Sequence, residues 1–211
     1  MIKMSRREII LKSIFHIVVG RYMLKSIGIF CGSSAGVNPV YMQAAKSIGS
    51  YFAENNLKIV YGGGKVGLMG AVADAALACG GQVIGVMPQA LVEKEIAHTG
   101  LTELFVVKDM HERKQLMASL SDAFLTLPGG AGTLEEIFEQ WTWAQLGIHQ
   151  KPCAFFNVNR YFSPLLTMVS KMVEEGFLKN QYLEMLIVAD DPSRLLVGFE
   201  NYQVPKHKWQ K

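Results

Sequence analysis

Cysteine is scarce in this 211-residue chain, and an excess of either charge is scarcer still. The three cysteines, Cys31, Cys79 and Cys153, are odd in number, lie far apart and form no CxxC pair, which argues against both a disulfide framework and a cysteine zinc site. The five histidines show no HExxH or comparable ligand spacing, so no metal is expected. No apolar run reaches the ~20 residues that cross a bilayer, and no membrane partner is expected. Low-complexity disorder and collagen-like repetition are excluded too, since 50% of residues are apolar, 18% are charged and the mean hydropathy is +0.19.

The formal charge of +3 is concentrated at one end. Residues 1–22 carry Lys3, Arg6, Arg7, Lys12 and Arg21 against the single acid Glu8, and the rest of the chain holds 16 basic and 17 acidic groups. That near-neutral body lacks the electrostatic footprint of a nucleic-acid binder. Ile9 to Val19 forms an apolar run behind a positive start, the outline of a secretory leader. Lys12 and His16 interrupt it, no A-x-A site follows, and the next segment reads as a core strand, so a cytoplasmic protein is expected. Residues 1–22 read as a flexible or helical extension, and 23–211 as a single domain.

From Lys25 onward, short apolar runs alternate with longer segments of helical period, separated by Gly, Pro or Asn. Strands are predicted at Ser26–Cys31, Lys58–Tyr61, Gln82–Met87, Leu104–Val107, Ala123–Leu127, Pro152–Phe156 and Leu186–Ala189. Runs apolar at consecutive positions, such as Ile84 to Met87, suit strands covered on both faces. The fold class is α/β: a doubly wound, Rossmann-like parallel sheet of about seven strands with helices on both faces.

In such sheets ligands bind beyond the carboxyl ends of the strands, where three loops are rich in glycine. They run Gly32-Ser33-Ser34-Ala35-Gly36, Gly62-Gly63-Gly64-Lys65-Val66-Gly67 and Pro128-Gly129-Gly130-Ala131-Gly132-Thr133. Glycine turns entering helices let backbone amides approach a phosphate at the positive end of the helix dipole. The second loop satisfies GxGxxG, but no Asp or Glu between Asp74 and Glu93 can anchor a dinucleotide ribose, and no Gly-Lys-Ser/Thr makes it a Walker A loop. The first contains GxSxG around Ser34, yet it comes too early in the strand order for a hydrolase elbow and its helix starts late, near Pro39. Ser33, Ser34 and the backbone of Gly63 and Gly64 are better suited to contacting a polar ligand. In the third loop Thr133 and Glu136 spell T-x-x-E, so a capping box is one reading. A cap needs no preceding glycine cluster, however. Three glycines in four residues point to a backbone that a ligand approaches closely.

The segment PGGAGTLEE is similar to the PGGxGTxxE signature of the LOG family, the cytokinin riboside 5′-monophosphate phosphoribohydrolases often mislabelled lysine decarboxylases. IGIFCGSS, VYGGGKVGLMG, VIGVMP, ERKQLM and WTWAQLGIHQKP resemble family blocks in family order from Met23 onward. The resemblance implies hydrolysis of the N-glycosidic bond of a purine nucleoside 5′-monophosphate, AMP or its N6-prenylated form, to free base and ribose 5-phosphate without a cofactor, by a homodimer. Position by position it implies Arg113 and Glu136 as the catalytic pair and Gly130, Ala131, Gly132 and Thr133 as the phosphate cradle. Lys114, Glu95 and Thr142 match further substrate contacts, with the base near Met87 and Pro88. Two alternatives stay open: a broad purine or pyrimidine nucleotide nucleosidase, and a nucleotide binder without catalysis.

The residue types fit the chemistry independently. Glycosidic cleavage passes through an oxocarbenium-like state that a carboxylate can stabilise or supply with water, while a guanidinium offsets charge on the departing base. Read without the resemblance, His111-Glu112-Arg113-Lys114 is a solvated helix start. His98, His111 and His149 acquire no role, and Trp141 and Trp143 read as packing residues.

Overall fold

The computed structural model describes residues 24–92 and 97–206. The extension at 1–22 and Glu95 lie outside the described residues. Seven parallel strands form one sheet: β1 (Ser26–Phe30), β2 (Lys58–Tyr61), β3 (Val83–Pro88), β4 (Glu103–Val107), β5 (Ala123–Thr126), β6 (Cys153–Phe156) and β7 (Leu186–Ala189), in the order β4-β3-β2-β1-β5-β6-β7. Every residue of β1, β3, β5 and β6 is buried, the outcome expected for strands covered on both sides. Each predicted strand forms, with ends shifted by at most one residue.

Side chains alternate across the sheet. Ile27, Ile29, Ile59, Tyr61, Leu125 and Phe156 pack on one face with α1 (Val40–Glu54), α2 (Gly67–Ala78) and α8 (Pro192–Glu200). Phe30, Val60, Val86, Phe124 and Phe155 face the other way, towards α4 (Met110–Leu120), α5 (Ala131–Leu146) and α6 (Ser163–Glu174). Short helical turns α3 (Gln89–Val92) and α7 (Asn180–Leu183) complete the order. Trp141 is buried in the second layer, its indole N–H donating to the Tyr182 carbonyl at 3.0 Å. Among the described residues no helix is long and apolar enough to cross a membrane.

Small residues bring α1 and α2 together. A Cβ at Gly49 of α1 would stand 2.3 Å from the Val72 carbonyl oxygen. Alanine normally strengthens a helix interior relative to glycine, but here backbone must move, so Gly49→Ala is expected to lower stability by about 1–3 kcal/mol. A lower urea midpoint with an unchanged slope is the expected reading; a higher midpoint would mean that the helices separate freely.

The strand order reverses between β1 and β5, whose following loops diverge to opposite sides and leave a crevice at their carboxyl ends.

Candidate active site

The β1–α1 and β5–α5 loops meet across that crevice. The Gly32 amide donates to the Pro128 carbonyl at 3.0 Å, and the Gly32 carbonyl accepts from the Leu68 amide at 3.1 Å, tying all three glycine loops together. The contact demands glycine at position 129, where a Cβ would lie 2.8 Å from the Gly32 nitrogen and 2.2 Å from the Thr133 hydroxyl. Gly130 and Gly132, by contrast, open onto empty space.

Helix α5 begins at Ala131 with Gly130 as its N-cap and no side-chain cap. Thr133 therefore lies in the first turn, and the T-x-x-E pattern is not a capping box. The first-turn amides have no partner within the helix and mark the positive end of its dipole. They border a cavity of about 260 Å³ whose wall includes Ser33, Gly62, Arg113, Gly130, Gly132, Thr133 and Glu136.

The cationic side of the cavity comes from α4. Asp109 caps this helix by accepting from the His111 and Glu112 amides, and those hydrogen bonds hold its carboxyl below the usual range. Met110, Arg113 and Met117 then recur at helical steps and all line the cavity. The charge run is not a solvated helix start at its functional end: the Arg113 and Lys114 side chains are each only 11% exposed. Arg113 Nε donates to the Val86 carbonyl at 3.1 Å, and its Nη1 lies 3.8 Å from Glu136 Oε1.

Glu136 is the electrostatic centre of the arrangement. Burial, opposed by Arg113, pushes its carboxyl up from 4.5 to about 7, with Glu135 adding to the rise and Lys114 opposing it. Beneath it, burial and the nearby Glu136 charge keep the Cys31 thiol protonated. Lys114 is occupied by two other carboxylates, at 2.6 Å from Glu135 Oε1 and 3.0 Å from Glu139 Oε1. It gathers the acidic side chains of α5, leaving Glu136 opposite Arg113.

The structure thus brings Ser33, Arg113, Gly130, Gly132, Thr133 and Glu136 around one cavity, and leaves other expected residues off its wall. Ala131 is in the same helical turn but does not line the cavity. Gly63 is buried beneath Leu104 and Met87, turning the chain with φ +80°, and Gly64 pairs with Ala97 across an isolated bridge. Met87 and Pro88 are enclosed in the sheet, and the apolar wall comes from Ile29, Phe30, Met69, Met110 and Met117. Thr142 is exposed almost two turns beyond Glu136. Sequence reasoning missed Cys31, Met110, Met117 and the steric role of Gly62; only the helical spacing of the two methionines around Arg113 signalled any of them. His98 is fixed structurally, with Nε2 2.9 Å from Asp74 and Nδ1 accepting from the Gly100 amide. Burial and Lys151 lower His149 to about 4. Among the described residues no group of three or more His, Cys, Asp or Glu is placed to hold a metal ion.

A second cavity of about 360 Å³ shares Gly32, Ser33 and Gly130 with the first and continues along Ser34–Gly36, Tyr41 and Tyr161. Among the described residues no histidine lines either cavity, so none of them gives Ser34 a base of the kind a serine hydrolase uses.

Known proteins share both fold and sequence with this chain. The molybdenum cofactor carrier protein of Chlamydomonas reinhardtii superposes with a TM-score of 0.64 over 83% of this chain and 95% of that chain, at 18% identity, a likeness of fold. The cytokinin riboside 5′-monophosphate phosphoribohydrolase of Rhodococcoides fascians is 49% identical over 168 residues, spanning 79% of this chain and 85% of that protein. Cytokinin riboside 5′-monophosphate phosphoribohydrolase LOG1 of Arabidopsis thaliana is 46% identical over 184 residues, 87% of this chain and 86% of its own. A family model described as "Possible lysine decarboxylase" matches residues 69–198, and the chain belongs to that family, the LOG family of the resemblance noted in its sequence.

Proposed function

We propose that the protein hydrolyses the N-glycosidic bond of an N6-substituted purine nucleoside 5′-monophosphate, giving the free base and ribose 5-phosphate. The observation that carries this reading is the buried Arg113–Glu136 pair, 3.8 Å apart and facing the same cavity as the open first turn of α5. An anion held by the amides around Gly130, Gly132 and Thr133 places the attached sugar within the cavity. There the Glu136 carboxylate orients water towards the anomeric carbon and stabilises the positive charge that develops as the bond to the base breaks. Arg113 offsets negative charge on the leaving base. Water attacks, the glycosidic electron pair leaves with the base, and the proton lost by water balances the one the base acquires. Ser33 and the apolar wall of Met110 and Met117 support binding, whereas Lys114 serves by holding Glu135 and Glu139.

The names borne by relatives near half identity support cytokinin nucleotides as substrates. The family likeness supports a homodimer, and three free thiols suit a reducing, cytoplasmic setting. Purified protein incubated with AMP and with N6-isopentenyl-AMP should release ribose 5-phosphate from both, with the prenylated nucleotide strongly preferred. Equal release from many nucleotides would favour a broad nucleosidase, and binding without release would end the hydrolase reading.

A pH profile tests Glu136 within the same assay. The carboxylate is the working form, so kcat/KM should rise tenfold per pH unit below about 7 and level off above it. A profile flat from pH 5 to 8 would remove ionised Glu136 from the mechanism.

A further inference from the structure

We propose that Tyr161 is a positioning residue for the anion cradle, its hydroxyl locking the Gly129–Gly130 peptide so that the Gly130 N–H faces the bound phosphate. This rests on reading the cavity as a nucleoside monophosphate site.

Tyr161 lies 32 residues beyond Gly129, yet its hydroxyl donates to the Gly129 carbonyl at 2.6 Å. The preceding carbonyl, of Pro128, accepts from the Gly32 amide. Two successive peptide planes of the Pro128-Gly129-Gly130 turn are therefore held by their oxygens. The described residues contain no cis peptide bond, and in a trans peptide the C=O and N–H point in opposite directions. Drawing the Gly129 oxygen towards Tyr161 sends the Gly130 N–H away from it. Pro128, Gly129 and Tyr161 line only the second cavity, Gly132 and Thr133 only the first, and Gly130 both. The amide is thus directed to the side where the first turn of α5 opens. A peptide between two glycines turns over with little steric resistance. Inverted, it would present a carbonyl oxygen to the anion.

The chain delivers Tyr161 by an unusual backbone. Asn159 and Arg160 are consecutive non-glycine residues with φ of 52° and 56°, a conformation kept only where the surroundings impose it. Here they do. The Asn157 side-chain oxygen accepts from the Phe162 amide at 2.8 Å, while the Asn159 side-chain amide donates to the Tyr41 hydroxyl at 3.3 Å. The Tyr41 ring meets Tyr161 edge-on, with centroids 5.7 Å apart. Phe162 is 1% exposed and enters the core beside Phe155, so the left-handed pair lets one ring anchor the segment while its neighbour reaches back over the β5–α5 loop.

The test is Tyr161→Phe in the full chain, which keeps the ring and removes the hydroxyl. Titrated calorimetrically in a Glu136→Gln background, where AMP is not consumed, Tyr161→Phe should weaken AMP binding about five- to tenfold and leave adenosine binding within about twofold, with a nearly unchanged unfolding temperature. In turnover assays KM for the nucleotide should rise more than kcat falls. Unchanged AMP affinity overturns the proposal, as does an equal loss for AMP and adenosine. Because titration in the Glu136→Gln background reads binding alone, wild-type protein that binds AMP without cleaving it defeats the hydrolase reading and leaves this comparison intact; protein that binds no AMP with or without Glu136 defeats both. Should Tyr161→Phe not fold, Tyr41→Phe removes the tie through Asn159 while leaving the Tyr161 hydroxyl. A two- to threefold loss of AMP affinity is then expected, and no loss overturns the proposal.

Discussion

Replacing Glu136 with Gln is expected to abolish turnover, by about 10³-fold or more, and at the same time to make the folded protein more stable above neutral pH. Both effects come from the same burial. In the folded chain the carboxyl titrates near 7 instead of 4.5, so between those values the folded state keeps a proton that the unfolded state has released. Stability therefore falls as pH rises through that window, and above it the folded state bears a cost of about 3 kcal/mol. Glutamine resembles the protonated acid in shape and charge, and the lost attraction to Arg113 is already contained in the net shift. Unfolding free energies of the two proteins should agree near pH 4 and diverge in favour of the variant by pH 8. Equal stability at both values would show that the carboxylate is not held against its preference. Nucleotide affinity should be largely preserved, since the amides of α5 are untouched.

The second large effect is expected from a single methyl group. A Cβ at Gly62 would lie 2.1 Å from Arg113 Nη2, 3.3 Å from its Cζ and 3.4 Å from the Met69 sulfur. None of these atoms is backbone, and the guanidinium ends a flexible side chain. The fold can accommodate alanine by swinging Arg113 aside. Gly62→Ala should therefore lower kcat/KM about 10²- to 10³-fold, as Arg113→Ala should, while the unfolding temperature changes little. The double variant should be no worse than either single one, because both remove the same contribution. Additive losses would give Gly62 a role of its own, and a large drop in unfolding temperature would make it a packing residue.

The inner strands were legible because burial on both faces leaves continuous apolar runs such as Ile84 to Met87, and the edge strands β4 and β7 keep apolar runs although Val106 and Val188 are exposed. Other features depended on contacts that have no local signature. A triple glycine reads as one phosphate loop, yet its three members do different things: Gly62 yields space to Arg113, Gly63 turns the chain and Gly64 pairs with Ala97. T-x-x-E reads as a cap, but the glycines permit α5 to begin three residues earlier than Thr133 would allow as N-cap. Arg113 stands in a run of charges that periodicity alone assigns to solvent, and only the family likeness singled it out. Tyr161 was invisible because a lone Asn159 is a weak sign of a left-handed turn, Arg160 is none, and glycine, the usual sign, is absent.

The placement of β1 also bears on how the chain is made. Ile27 neighbours Ile59 on one side and Ala123 on the other, so the central strand acquires its second neighbour only after some hundred further residues have left the ribosome. Until then a partial sheet of the first four strands presents one open edge, the unpaired backbone N–H and C=O groups of β1. Folding of this long-range kind is slow, and the emerging chain is expected to be open to pairing with other chains during that interval.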